Sequence, residues 1–403
     1  MQEKYKMSTK PKIAIISFSQ IQGDGRVLRQ IEYLSRHYTV SVIGYGQLPP
    51  TLSEQASMYA IQPPASRARR IRKALWLPLA RFVNKKLCET WYWSEEEFNA
   101  AFDILCRLHP TAIHANDWEA LPVAVRAAQE TGALVVADLH EYAPLMRENR
   151  RYWRFFYKPL IEYFLQRCLS VVNASVTVNQ TIADRYAAEY DINPIVVMNA
   201  PQIVNAPAFH PTRSDAIALV HHGNAIRDRK LELMIETLAL VDQRYSLHLM
   251  LVERSAGYIH ALKSIADKMT PGRVYFHDPV QPFDVVKYIS QFDIGFYLMP
   301  AQAYNQLVAS PNKFFDFVVA GLAVLTGPSP EMARLSQKYG FGKVAFSLEP
   351  TEVAAILNSL SKADIDEMKQ SAIRAREYLN ADIELGKLIQ LYQSIFPEVS
   401  KPQ

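Results

Sequence analysis

A chain of 403 residues with 49% hydrophobic and 11% aromatic residues is long enough for two domains of roughly 150–200 residues and too apolar for wholesale disorder. Three scattered cysteines, Cys88, Cys106 and Cys168, exclude a disulfide framework or a zinc site by their number and spacing and point to a reducing compartment. The net charge of +4 is small, no apolar run approaches the roughly 18–20 residues of a membrane-spanning helix, and the polar start lacks a signal peptide, so the expected location is the cytoplasm.

Lys12 to Phe18 (KIAIISF) reads as a buried strand, followed by the glycine-containing turn Ser19 to Gly25. Val27, Leu28, Ile31 and Leu34 then recur at helical spacing, and Tyr38 to Gly44 reads as a second strand. Further strands are expected at Thr111–His114, Ala133–Leu139, Val171–Val178 and Ile195–Met198, with a helix across Trp118–Thr131. Residues 200–215 hold three prolines without periodicity and read as a linker. A second alternating set follows: strands at Ile217–His221, Ser246–Val252, Arg273–Phe276, Ile294–Tyr297 and Ala323–Thr326, and a helix from about Lys230 to Val241. Residues 351–396 read as helices only. Alternating helices and apolar strands indicate an α/β chain with parallel, doubly wound sheets. The domains expected are 1–203 and 204–375, with terminal helices over 376–403.

Ligands of such sheets bind beyond the carboxyl ends of the strands. After the first strand stands Gly23-Asp24-Gly25-Arg26, a turn whose glycines would let a phosphate or an acceptor approach a helix N-terminus. It is not a dinucleotide fingerprint, because Leu28 occupies the place of the third glycine. An ordinary turn is the competing reading. His114 with Asp117, and Asp138 with His140 and Glu141, each place a histidine and a carboxylate at a strand end. A histidine there can donate to a sugar hydroxyl, accept a proton, or simply be satisfied by backbone groups. His114, Asp117, His140 and Glu141 are the candidate catalytic set. In the second half, His221-His222-Gly223 precedes Arg227, Arg229 and Lys230 at an expected helix start, where cations would neutralise a diphosphate leaving group. A solvated basic loop is the alternative. Asp316 falls in an apolar helix after Asn312 and Lys313, where a ribose would satisfy both its oxygens or the helix dipole would hold it.

As a series these residues resemble a known family. Asn312 to Leu325 (NKFFDFVVAGLAVL) is similar to the "P-N-K…F-E…a-G-l-P-V" segment of retaining glycosyltransferases of family 4 and their GT-B relatives. Asp24 to Arg29 looks like their "D-x-R-V-x-R", His114 to Asp117 like "v-H-a-h-D", Asp138 to Glu141 like "D-x-H-E", and Val196 to Pro201 like "v-v-x-N-x-P". The resemblance spans about residues 12–345. It implies a GT-B fold, two Rossmann-like domains facing across a cleft, the first for an acceptor and the second for a nucleotide-sugar, with terminal helices crossing back to the first.

It also implies an EC 2.4 transferase of hexosyl type. Such an enzyme would move a sugar, with retention, from a nucleotide-sugar to a saccharide or lipid-linked acceptor in surface polysaccharide or glycolipid synthesis. No protein nucleophile, cofactor or metal is then expected. Carried over, Arg229 or Lys230 would hold the diphosphate with Arg227 assisting, and Gly223, Asn312 and Lys313 would line the pocket. Asp316 would bind the ribose in place of the family's second glutamate. His140 would contact the donor sugar or the acceptor, and Gly23, Asp24, Gly25 and Arg26 would lie against phosphate or acceptor. The family's first glutamate is replaced by Val308, and its "P-V" proline by Ala323. The rival readings are a non-catalytic relative serving as a binding or scaffold subunit, and a sugar-nucleotide epimerase.

Within the segment from Ser66 to Trp93, Ser66 to Lys86 holds eight basic residues and no acidic one, with Ile71, Leu75, Trp76, Leu79 and Phe82 among them. Arg147 to Lys158 (RENRRYWRFFYK) repeats that mixture of cations and aromatics. Such composition suits an anionic membrane surface, which adds peripheral attachment at the inner face of the plasma membrane to the expectation. A solvated basic face is the alternative. Nucleic acid is not an expected partner, since no recognised module appears.

Overall fold

The computed structural model describes residues 10–64, 78, 86–203, 207–281 and 284–396. The chain divides into two compact units, one through Val197 together with the residues from Leu385 onward, the other Met198–Glu384. The expected partition ran 1–203, 204–375 and 376–403. The chain changes units inside the last helix, Ala381–Ile395, and not ahead of it.

In the first unit seven parallel strands follow the order β3-β2-β1-β4-β5-β6-β7. They are β1 (Lys12–Gln20), β2 (Thr39–Tyr45), β3 (Ala56–Ile61), β4 (Ala112–Asn116), β5 (Leu134–Leu139), β6 (Ala174–Thr177) and β7 (Ile195–Val196). The chain reverses direction across the sheet between β1 and β4, the place where open sheets form a ligand crevice. Ile13, Ala14, Ile15 and Ile16 are all fully buried, because helices cover both faces of a parallel sheet and every residue of a central strand meets one of them.

The second unit repeats the pattern with β10-β9-β8-β11-β12-β13. Its strands are β8 (Ile217–Ala225), β9 (Tyr245–Glu253), β10 (Val274–His277), β11 (Ile294–Tyr297), β12 (Ala323–Thr326) and β13 (Gly342–Val344). Successive residues alternate between its two cores. Leu219, Phe296 and Leu325 enter one, and Val220, Tyr297 and Val324 the other, as the two-residue period of a strand requires. Two edge strands, β3 and β13, escaped the sequence reading. β3 is half-exposed and β13 is only three residues long, so neither shows an apolar run. Val171 lies in a 3-10 turn (Leu169–Val171) ahead of β6 and not in the strand.

Among the described residues no helix is long and apolar enough to cross a membrane. Nor does any group of three or more His, Cys, Asp or Glu stand ready to hold a metal ion. Most of the basic segment over residues 66–86 lies outside the described residues.

Gly295 in the middle of β11 lets the sheet and the helix Asn312–Val319 meet. A Cβ at that position would stand 2.2 Å from Cγ of the fully buried Phe317. Gly295→Ala is expected to cost about 1–3 kcal/mol of stability, measured by urea unfolding; an unchanged midpoint would show that Phe317 can give way.

Candidate functional site

At the carboxyl edge of the first sheet the quoted motifs meet on one carboxylate. Asp138, fully buried at the end of β5, accepts from Arg26 Nε at 3.0 Å and Nη2 at 2.7 Å. Gln30 Nε2 also donates to it, one turn further along the helix Gly25–Ser35. The remaining Arg26 amine donates to Val197 O at 2.8 Å, at the end of β7. His114 lies with Nε2 3.4 Å from Asp138 and Nδ1 2.8 Å from the Tyr392 hydroxyl. Burial alone would raise the Asp138 pKa. Arg26, then His140 and His114, overcome it and hold the carboxyl well below the usual range.

The expected site residues therefore separate. Arg26 is not a loop cation: it is buried and its fork is committed to Asp138 and Val197. His114 is wholly buried between Tyr392 and Asp138, so it shapes the site from behind. Asp24 caps the helix, accepting from Val27 N at 3.2 Å and from Ser19 Oγ at 2.8 Å. A Cβ at Gly23 would meet nothing, and one at Gly25 only the end of Arg29 at 3.6 Å. The fold itself does not require these glycines, and the space above them is open.

His140 is the accessible member, with 18% of its side chain exposed. Its Nε2 lies 3.0 Å from Asn116 Oδ1 and 3.6 Å from Asp138, and its Nδ1 3.4 Å from Asp117. Burial would lower its pKa, but Asp117 and Asp138 raise it above the ordinary value, which favours the imidazolium. Asp117 opens its helix with φ +63°, a left-handed conformation that turns its carboxylate back to accept from His140 N at 3.3 Å. Burial raises the Asp117 pKa. Glu141 is exposed as a residue, yet desolvation and then Asp117 raise its carboxyl pKa.

A second cluster occupies the carboxyl edge of the second sheet. β8 runs on to Ala225, so Gly223 lies within the strand, and the cations Arg227 and Arg229 form a 3-10 turn (Arg227–Arg229) ahead of the helix Glu232–Leu240. They therefore precede the helix start expected for them, because Lys230 takes φ +46° and breaks the turn. Gly223 has φ +116°, and a Cβ there would be 3.1 Å from Lys313 Nζ. Lys313, in the first turn of the helix Asn312–Val319, is 9% exposed. Its Nζ is 3.4 Å from His221 Nε2 and 5.1 Å from the Tyr297 ring centre. His221 Nδ1 lies 2.9 Å from Phe296 O, which can only accept, so Nδ1 carries the proton and Nε2 offers its lone pair to Lys313.

Burial, then Arg229, bring the Lys313 pKa down to about 7 against the pull of Asp316. Burial, then Lys313, bring His222 down to about 3, so it is neutral. His222 Nε2 stands 3.4 Å from Asp316 without hydrogen-bond geometry. Ser310 Oγ and Thr326 Oγ1, at the same sheet edge, are also buried without a partner. Arg229 donates to Asn224 O at 3.3 Å. Arg227 instead lies 5.1 Å over Tyr258 and donates to Ala256 O, away from Lys313. Lys230 and Asn312 are exposed.

Gln30, Asn116, Tyr297 and Tyr392 were not foreseen. Tyr297 ends an expected strand, which was a usable signal. Tyr392 carried none, since its partner is 278 residues away in sequence.

No family model and no curated protein sequence matches the chain. Solved structures do. Anabaena Alr3699/HepE in complex with UDP-glucose superposes with TM-score 0.65 at 13% identity, over 95% of this chain and 100% of that one. Sucrose-phosphate synthase from Thermosynechococcus elongatus gives 0.66 at 13%, over 96% and 99%. The apo form of the lipopolysaccharide outer core galactosyltransferase WaaB gives 0.63 at 11%, over 96% and 100%. The fold is GT-B. At these identities the likeness establishes the two Rossmann-like domains and no more.

Asp138 and Arg26 test the first cluster. Asp138→Asn leaves a buried guanidinium without its charge partner and is expected to cost about 3–5 kcal/mol in denaturant unfolding. Because the Asp138 pKa is depressed in the fold, its contribution is full above about pH 4 and is lost as acid protonates it below that. A variant as stable as the parent would remove Asp138 from the centre of the fold.

Proposed function

We propose that the protein is a glycosyltransferase of hexosyl type. It would move a sugar from a nucleotide-sugar donor to a saccharide or lipid-linked acceptor, with retention, in polysaccharide or glycolipid synthesis. The observation that carries the reading is the Lys313–Arg229 pair at the second sheet edge. Lys313 is a buried cation whose charge burial and Arg229 disfavour, with partnerless polar atoms of His222, Ser310 and Thr326 at the same edge. An assembly of that kind is stabilised by an anion. A diphosphate at Gly223, whose missing Cβ leaves room for Lys313 Nζ beside the backbone, would meet Lys313 and Arg229. Asp316 would accept from ribose hydroxyls. The overlap with a UDP-glucose complex of the same fold favours a uridine or related nucleotide.

In this reading the leaving diphosphate gains charge as the glycosidic bond breaks, and Lys313 and Arg229 offset it in place of a metal. Retention rests on the resemblance of Asn312–Leu325 to the family segment. It needs no protein nucleophile, because a donor phosphate oxygen takes the acceptor's proton. His140, held toward the imidazolium by Asp117 and Asp138, donates to a sugar hydroxyl and does not serve as a base. Gly23 and Gly25 leave room for the acceptor.

Calorimetry with UDP, GDP and ADP tests the nucleotide site. An anion beside Lys313 lifts its pKa from about 7 back toward that of an ordinary lysine, so binding should take up a proton and weaken as pH rises above 7. At pH 8 the uptake, read from two buffers of different ionisation enthalpy, should approach ~1 proton. It should vanish in Lys313→Met, and Arg229→Ala should cut affinity by about tenfold or more, the worth of one charge-assisted contact. Binding by none of the three nucleotides, or unchanged binding in both variants, would move the reading to a non-catalytic relative. With Lys313 and Arg229 in the metal's role, transfer should persist in excess chelator; complete loss, restored by a divalent ion, would overturn that part.

A further inference from the structure

The crossover from β5 to β6 carries a basic aromatic lobe over residues 147–158 that neither cluster uses. Its root is fixed: the helix Lys158–Cys168 buries Leu160, Ile161, Phe164 and Leu165 in the first unit. Ahead of it Trp153–Tyr157 forms a π-helical turn with no buried residue, a form that recurs at functional sites. Trp153 and Tyr157 stack at 4.8 Å, and the Arg147 guanidinium lies 5.7 Å from Trp153, so the turn has an internal scaffold. What it presents outward is unusual. Phe155 is 60% exposed and Tyr152 48%. Arg150, Arg151 and Arg154 are exposed, and among the described residues none of their side chains makes a hydrogen bond or ion pair. Glu148 is the single acidic residue in the twelve-residue stretch, against five basic ones.

We propose that this lobe is a docking surface for an anionic lipid bilayer. Arg151, Tyr152, Arg154 and Phe155 alternate cation with aromatic ring and are all exposed, so the turn offers both to the same surroundings. In a headgroup layer the guanidinium groups would meet phosphate while Phe155 and Tyr152 enter the boundary with the acyl chains. An acidic protein groove would answer the cations but leave Phe155 in water. A second copy would set arginine against arginine. The lobe leaves the same sheet edge as His140, so docking would bring that edge to the membrane surface. The inference does not depend on the transferase reading, because binding is read without donor or acceptor.

The experiment is co-sedimentation of the full chain with vesicles of phosphatidylcholine alone and of phosphatidylcholine mixed with phosphatidylglycerol. The parent should bind only the anionic vesicles, and less as salt is raised. Arg151→Glu/Arg154→Glu should lower the partition coefficient by roughly 25-fold or more, at about fivefold for each cation removed. Phe155→Ala should lower it several-fold while leaving its salt dependence unchanged. Circular dichroism melts coincident with the parent's would show that both variants fold. Three results would overturn the proposal: no binding by the parent, undiminished binding by both variants, or displacement of the vesicles by single-stranded RNA. The second would assign attachment to another segment, such as the basic residues from Arg67 to Lys86.

Discussion

Burying an ionised carboxylate is unfavourable by several kcal/mol unless charge and hydrogen bonds replace the lost water. Asp138 is fully buried and ionised, so the first unit must be built around satisfying it. The bidentate fork of Arg26 provides the opposite charge, Gln30 on the same helix and His114 on β4 provide further contacts, so two elements besides β5 converge on it. The same guanidinium reaches the last strand through Val197 O, and His114 reaches the terminal helix through Tyr392. One charge thereby fixes the relative positions of β1's helix, β4, β5, β7 and the chain's end. His140 is what this arrangement presents outward, oriented by Asn116 and by two carboxylates.

The second unit uses the opposite balance. Lys313 is nearly as buried, yet its close neighbours are a neutral histidine, a tyrosine ring and Arg229, with Asp316 the one charge that favours its ammonium. A structural lysine elsewhere in the same unit shows the contrast. Lys369 is 1% exposed and has a full partner in Asp293 at 2.9 Å, besides His210. Lys369 is satisfied by the protein alone. Lys313 is not: its ammonium lies beside the Gly223 backbone with a neutral histidine in place of a carboxylate partner.

Much of the fold was legible because a buried parallel sheet demands unbroken β-branched runs between amphipathic helices. β1, β2, β5, β8, β11 and β12 were placed from that pattern to within a few residues. β3 and β13 were not, since an edge strand needs no second apolar face. The positions of chemical interest were also legible as types: histidines, carboxylates, glycines and cations after strands. Their division into inward and outward members was not. Asp24 and His140 both stand just beyond strands, but whether such a residue caps a helix or faces a ligand depends on packing.

The sequence by itself determined two parallel sheets of alternating strand and helix, and a set of histidines, carboxylates, glycines and cations at strand ends. Only the tertiary structure decided that Arg26 and His114 serve Asp138, that Lys313 is the buried cation beside Arg229, and that Tyr392 closes the back of the first cluster. The reason is physical. Hydrophobic periodicity is local and repeats along the chain, so it can be read there. The balance of a buried charge is set by whichever groups the fold brings within about 4 Å, and those come from positions far apart in sequence.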